Sequence, residues 1–219
     1  MHDTAADTWE GLAPGWRRAF DEAWTSWCSG NLGIGAALVD PVTEAIVAAG
    51  RNRVNQPVAE PRMLSGNFMA HAEMNAFASL DRFKADGLDL YTTLEPCLMC
   101  AGTAVFLHVE RVFHAADDEF FAGIHDLWDH HPYSARNKHE SIGPLTSPLA
   151  AFARVLPLQA QATTVTGTTV MEHAHRHIPT LADLAIELTA DETLHRVRDD
   201  GGSTLDAIHS IWDRLPVAT

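Results

Sequence analysis

The stretch LYTTLEPCLMCAGTAVF, residues 90–106, runs a strand-like segment directly into a proline and two cysteines three residues apart. Leu, Tyr and Thr up to residue 94 favour an extended chain, and from Pro96 onward the pattern reads as a helix to about residue 108. Cysteines at i and i+3 of a helix start share one face. The helix dipole and the free N–H groups of the first turn favour thiolate over thiol there. The chain has three cysteines in all, the third being Cys28, so two of them standing on one turn asks for a chemical reason. A strand feeding straight into a helix, with reactive side chains at the join, is also the unit from which layered α/β folds are built.

The second half of the pattern lies upstream, in AHAEMNAF at 70–77, which reads as the start of a helix over about residues 71–80. His71, Cys97 and Cys100 are then three good metal donors, each near a helix N-terminus. Imidazole with two thiolates suits zinc better than magnesium or calcium. Three protein ligands leave the fourth tetrahedral position to water, as in catalytic zinc sites. Glu73 follows His71 by two residues, which keeps it off the metal but beside that water. A carboxylate so placed can accept the water proton and deliver it elsewhere. Alone, Glu73 would be an ordinary first-turn glutamate stabilising a helix start; the cysteine pair downstream favours the catalytic reading.

The remaining segments fill in a layered order. PGWRRAFDEAWTSWCSG, from Pro14, predicts a helix whose Trp16, Phe20, Ala23, Trp24 and Trp27 face a core and which Gly30 stops. Cys28 beside that stripe reads as a small buried hydrophobe. Residues 34–40 and 45–49 predict a two-stranded hairpin, 53–68 a loop, 88–94 and 111–116 two strands, and 152–158 another strand. Residues 117–148 are polar and punctuated by proline, the mark of a long functional loop. Near the end, TTVTGTTV at 163–170 reads as a strand or extended crossover, and HAHRH at 173–177 as a polar surface linker. TLADLAIEL and STLDAIHSIW predict two amphipathic helices capped by Thr180 and Ser203.

AHAE at 70–73 followed by TLEPCLMCAG at 93–102 resembles the zinc deaminase signature H-x-E…P-C-x-x-C. On this strand–helix order, about residues 10–158 are similar to the nucleoside and nucleobase deaminase branch of the cytidine deaminase-like superfamily, which includes guanine, cytosine and tRNA-adenosine deaminases. The resemblance implies a three-layer α-β-α fold, with a mixed five-stranded sheet flanked by helices and a C-terminal helical extension. It implies a catalytic domain over 1–158 and an extension over 159–219 packed on it. His71, Cys97 and Cys100 match the family's ligands to Zn2+, and Glu73 matches its proton shuttle. Asn52 matches an asparagine that holds the base, the Ala72 N–H would face a ring carbonyl or nitrogen, and Ile34 falls where an apolar residue lines the base pocket. Asp117 or Asp118, of which we favour Asp118, could pair with a ring N–H, and one of Phe120, Phe121 or Trp128 could close over it. The chain departs from the family in carrying Asn67-Phe68-Met69 before AHAE, where Asp-Pro-Thr is frequent. Members of this branch are commonly homodimers.

Composition sets limits on the partners. A hydrophobic content of 46% supports a packed core. Fifteen basic and 29 acidic residues leave a net charge of −14, which disfavours a long nucleic acid and favours a small nucleobase or nucleoside as substrate. Three rival readings stand beside that one. They are a tRNA-adenosine deaminase, a nucleotide deaminase using Arg51 or Arg53 on phosphate, and a structural zinc module closed by a fourth ligand. We find no apolar run long enough to span a membrane and no signal-peptide pattern, and so expect a cytoplasmic protein.

Overall fold

A computed structural model describes residues 4–216 apart from 59, 122, 163 and 165–167. The sheet is five-stranded in the order β2-β1-β3-β4-β5, with β1 Gly35–Val39, β2 Ile46–Arg51, β3 Asp89–Leu94, β4 Arg111–Ala116 and β5 Glu140–Ile142. β1 runs antiparallel to both β2 and β3, whereas β3, β4 and β5 are parallel. Every residue of β1 is buried, as expected of a central strand covered on both faces. At the edge, Ile46 and Val47 of β2 lie exposed.

Helices cover both faces. On one side α2 (Pro14–Cys28) and α6 (Pro148–Ala162) form the larger core. On the other, α3 (Ala72–Ser79) and α4 (Leu98–Phe106) pack with Leu38, Leu90 and Val112. Two glycines allow the layers to close. A Cβ on Gly35 would stand 2.1 Å from the Ala19 carbonyl oxygen of α2, and one on Gly50 2.3 Å from the Ala76 nitrogen of α3. Both helices therefore approach the sheet more closely than a side chain would permit.

The expected strand over 152–158 is instead part of α6, and the fifth strand is Glu140–Ile142. FARVLPL is apolar on every side, a pattern that does not separate a buried strand from a buried helix. Phe152, Val155, Leu156 and Leu158 are all fully buried, so the run is apolar because α6 is wrapped on all sides. That helix also runs unbroken across the expected join at residue 158. The stretch expected as a loop, 117–148, contains a 3-10 turn at Ile124–His130 and α5 (Pro132–Asn137) as well as β5.

The end of the chain is helical. It contributes α7 (Thr168–His177), α8 (Pro179–Ala190), α9 (Thr193–Asp199) and α10 (Thr204–Ile211). In the 163–170 run expected to be extended, residues 163 and 165–167 lie outside the described residues and Thr168–Val170 open α7. HAHRH is the last turns of that helix rather than a linker. Thr180 does not cap α8: Ile178 precedes the helix and Pro179 occupies its first turn, where a missing N–H costs nothing. Ser203 does cap α10, in a reciprocal box with Asp206.

Helices α8, α9 and α10 share a core with the tryptophan face of α2, while α7 packs its Met171 and Ala174 with Leu158 and α8. Leu184, Leu188, Leu194, Ala207, Ile208 and Ile211 join Trp16, Phe20, Trp24 and Trp27 in one core. Trp24 Nε1 donates to the Gly202 carbonyl at 2.9 Å, and Thr204 Oγ1 donates to Asp21 at 2.5 Å. A further short helix, α1 (Ala5–Glu10), starts on a Thr4–Asp7 capping box.

Candidate active site

His71 and Cys97 occupy the N-cap positions of α3 and α4, and their side chains point at each other. Cys97 Sγ lies 3.6 Å from His71 Nδ1, Cys100 Sγ lies 3.6 Å from the same nitrogen, and the two sulfurs are 3.6 Å apart. Zn–S bonds of about 2.3 Å and Zn–N bonds of about 2.0–2.1 Å at tetrahedral angles give edges of roughly 3.6–3.8 Å. The triangle therefore has the dimensions of three corners of a zinc tetrahedron. Among the described residues, no other group of three His, Cys, Asp or Glu side chains gathers its ligand atoms within 4.8 Å. Cys28 stays apart, packed beside the tryptophan core, where burial pushes its thiol up to about 11.

The electrostatics of the triangle follow from crowding. The hydrogen bond from Cys100 is the main force pulling the Cys97 thiol down to about 4. Cys100, giving that bond and buried, is pushed well above the usual thiol range. Burial works against a charged His71, but Cys97 and Glu73 outweigh it and raise the imidazole.

Glu73 is 4% exposed and lies in the first turn of α3. Burial raises its carboxyl, while His71 beside it opposes the shift. Thr92 of β3 donates its hydroxyl to Glu73 Oε1 at 3.2 Å and shares it with the Leu94 carbonyl at 3.2 Å. Sequence reasoning missed Thr92. A threonine on a strand attracts no notice, and only the placement of α3 against β3 brings it under the carboxylate.

Asn52 follows β2 and is almost fully buried. Its N–H donates to the Ile34 carbonyl at 2.9 Å, its carbonyl accepts from Ser26 Oγ at 2.9 Å, and its Oδ1 accepts from Val54 N–H at 3.2 Å. Its Nδ2 is buried with no hydrogen-bond partner. An orphaned buried amide costs on the order of 1–3 kcal/mol, so three clamps hold one uncommitted donor in place. Ser26, on α2, is a second residue the sequence did not single out. Ile34 is half-buried between the two main cores. Ala72 is the first residue of α3, where a backbone N–H has no partner within the helix.

The two aspartates after β4 part ways. Asp117 is exposed and pairs with His114 Nε2 at 3.0 Å. Asp118 turns inward: its N–H donates to Glu95 Oε2 at 3.1 Å. Burial raises its carboxyl most, and Cys97 adds to the rise. Phe121 and Trp128 pack on Ala101 and Val105 of α4, which leaves Phe120, 43% exposed, as the unburied ring of the three. Arg53 is fully buried and bound to Ser65 and Glu60, and Arg51 faces Glu22 and Glu60, so each arginine already faces a carboxylate. No helix of the described residues is long and apolar enough to cross a membrane.

Residues 15–116 match the cytidine and deoxycytidylate deaminase zinc-binding region. Over 106 residues the chain is 36% identical to a tRNA-specific adenosine deaminase of Bacillus subtilis, a match covering 47% of this chain and 60% of that protein. Over 108 residues it is 34% identical to a guanine deaminase of the same organism, covering 45% of this chain and 64% of the relative. The chain thus spans less than two thirds of either relative. A solved guanine deaminase from Nitrosomonas europaea shares the fold, with a TM-score of 0.50 at 24% identity, over 67% of this chain and 86% of that one.

Proposed function

We propose that this chain, whose residues 15–116 match the cytidine and deoxycytidylate deaminase zinc-binding region, is a hydrolytic deaminase of a small amino-substituted heterocycle, a nucleobase or nucleoside. The observation that carries the reading is the 3.6 Å triangle of His71, Cys97 and Cys100 with a buried carboxylate, Glu73, beside it. In the overall reaction water adds at the ring carbon bearing the amine, the carbon–nitrogen bond breaks, and ammonia leaves a ring carbonyl behind. Zinc, when bound by the three residues, supplies a Lewis acid that makes water nucleophilic at neutral pH.

The chain's own residues supply the rest. Glu73 takes the water proton on its carboxylate, passes it to the ring nitrogen, and assists departure of ammonia. A carboxyl raised by burial suits that exchange, because it binds and releases a proton nearer neutrality. Thr92 fixes which Glu73 oxygen faces the ring. Asn52 Nδ2 and the Ala72 N–H donate to ring acceptors, Ile34 forms an apolar wall, and Asp118 accepts from a ring N–H.

The net charge of −14 favours a free base or nucleoside, while the resemblance to a tRNA-specific adenosine deaminase favours a second reading, an adenosine in tRNA. An ammonia-release assay of the zinc-loaded protein separates them. The panel is guanine, cytosine, adenine, their nucleosides, and an adenosine-containing tRNA anticodon stem–loop. Release from a free base or nucleoside supports the first reading, release from the stem–loop alone supports the second, and release from none removes both. A purely structural zinc module would release nothing and would keep its zinc.

We place the chemistry in residues 1–158 and a covering role in 159–219, and the protein in the cytoplasm, where paired thiols stay reduced. We expect a homodimer: Leu98 and Phe106 on α4 and Phe68 and Met69 before α3 lie exposed beside one another in sequence or along one helix. Sedimentation equilibrium giving a monomer mass would overturn that expectation.

A further inference from the structure

Helix α7 touches the segment that follows β4 through a pair of stacked rings. Phe120 stacks on His173 of α7, with centroids 4.0 Å and planes 22° apart. His173 stacks in turn on His177, one helical turn later, at 4.3 Å and 29°. His173 Nε2 is buried and has no hydrogen-bond partner, so that nitrogen does not anchor the ring. Phe120 belongs to a segment tied to the site from other sides as well. Its N–H donates to Asp118 Oδ1 at 3.0 Å, and the Asp118 N–H donates to Glu95, two residues before Cys97. Between them, Glu119 takes a two-pronged bond from Arg154 of α6 at 3.1 and 2.5 Å.

We propose that His173 is a positioning residue. By stacking on Phe120 it holds the Asp118–Phe120 segment against the candidate site, so that a helix of the C-terminal extension sets how tightly the heterocycle is bound. The ion pair and the backbone bonds fix where the segment runs. The stack fixes the direction of its one exposed aromatic ring. Histidine at position 173 was met in the sequence only as part of a polar run; the packing of α7 gives it a partner. The claim about binding rests on the deaminase reading, whereas the claim about the stack does not.

The test combines amide hydrogen exchange of residues 118–121 with steady-state kinetics on the heterocycle found in the ammonia-release assay. His173→Ala is expected to speed exchange at the Asp118 and Phe120 amides about fivefold and to raise KM by a similar factor, with kcat within about twofold. His173→Phe, which keeps a ring to stack, is expected to restore both. Unchanged exchange in His173→Ala, or failure of His173→Phe to restore it, overturns the proposal. Faster exchange with an unchanged KM overturns the link to binding. If His173→Ala does not fold, Phe120→Leu probes the same contact from its exposed side, and an unchanged KM there overturns the proposal equally. A wild-type protein that deaminates nothing defeats the deaminase reading and the binding claim with it, while exchange alone still decides the stack.

Discussion

At the scale of single residues, the chemistry reduces to which atoms are committed and which are free. Glu73 touches the triangle but is not one of its three 3.6 Å corners. Glu73→Ala should therefore retain its zinc, measured by atomic absorption, and lose turnover by about 10²–10⁴-fold, the range of a missing general acid–base. Zinc loss in that variant would make Glu73 a ligand. Cys97→Ala should lose both metal and activity, since two donors do not hold a catalytic zinc. Removing the metal should also sort the thiols. Cys97, pulled down to about 4 mainly by its bond from Cys100, should alkylate readily after chelation. Cys28, raised to about 11 by burial, should carry about one thiolate per thousand molecules at pH 8 and stay unmodified in the folded protein. Mass spectrometry after iodoacetamide treatment with and without chelator reads both outcomes.

At the scale of elements, the site depends on how closely helices approach strands. α3 carries His71 at its N-cap and Glu73 in its first turn, and its distance from β2 is set by Gly50, where an added Cβ would lie 2.3 Å from the Ala76 nitrogen and 2.5 Å from the Ala72 oxygen. Backbone atoms cannot yield there as a flexible side chain would. Gly50→Ala should cost about 1–3 kcal/mol of stability, the usual range for overpacking, and should lower zinc affinity because α3 must move. A denaturation midpoint and a competitive zinc titration check the two halves separately. By contrast Ser203→Ala removes only the cap of α10. It should cost about 1 kcal/mol in the same denaturation experiment and leave zinc binding unchanged.

At the scale of the molecule, the C-terminal helices and the tryptophan face of α2 share one core, with Ile208 and Leu188 fully buried against it. Ile208→Ala should destabilise the protein by about 2–5 kcal/mol. Because the core is shared, the sheet and the C-terminal helices should unfold together. Tryptophan fluorescence and far-UV circular dichroism should give coincident transitions; two separated transitions would show that 159–219 unfolds by itself.

What the sequence determined was local and repetitive. Strands β3 and β4, helices α2, α3 and α4, and the Ser203 cap all follow from neighbours within one or two turns. His71 with Glu73, and Cys97 with Cys100, stood out by residue type and spacing at two helix starts, whereas their meeting in one triangle came with the packing of those helices. What only the tertiary structure decided depends on segments distant in the chain. Apolar residues 152–158 became a helix because packing surrounds them on every side, which no periodicity reports. The fifth strand fell to a three-residue run too short to signal itself. Thr92 under Glu73, Ser26 clamping Asn52, Asp118 rather than Asp117 turned inward, and His173 against Phe120 are each side-chain meetings across the fold. Such contacts carry no spacing in the sequence, because the distance that defines them is measured through the core rather than along the chain.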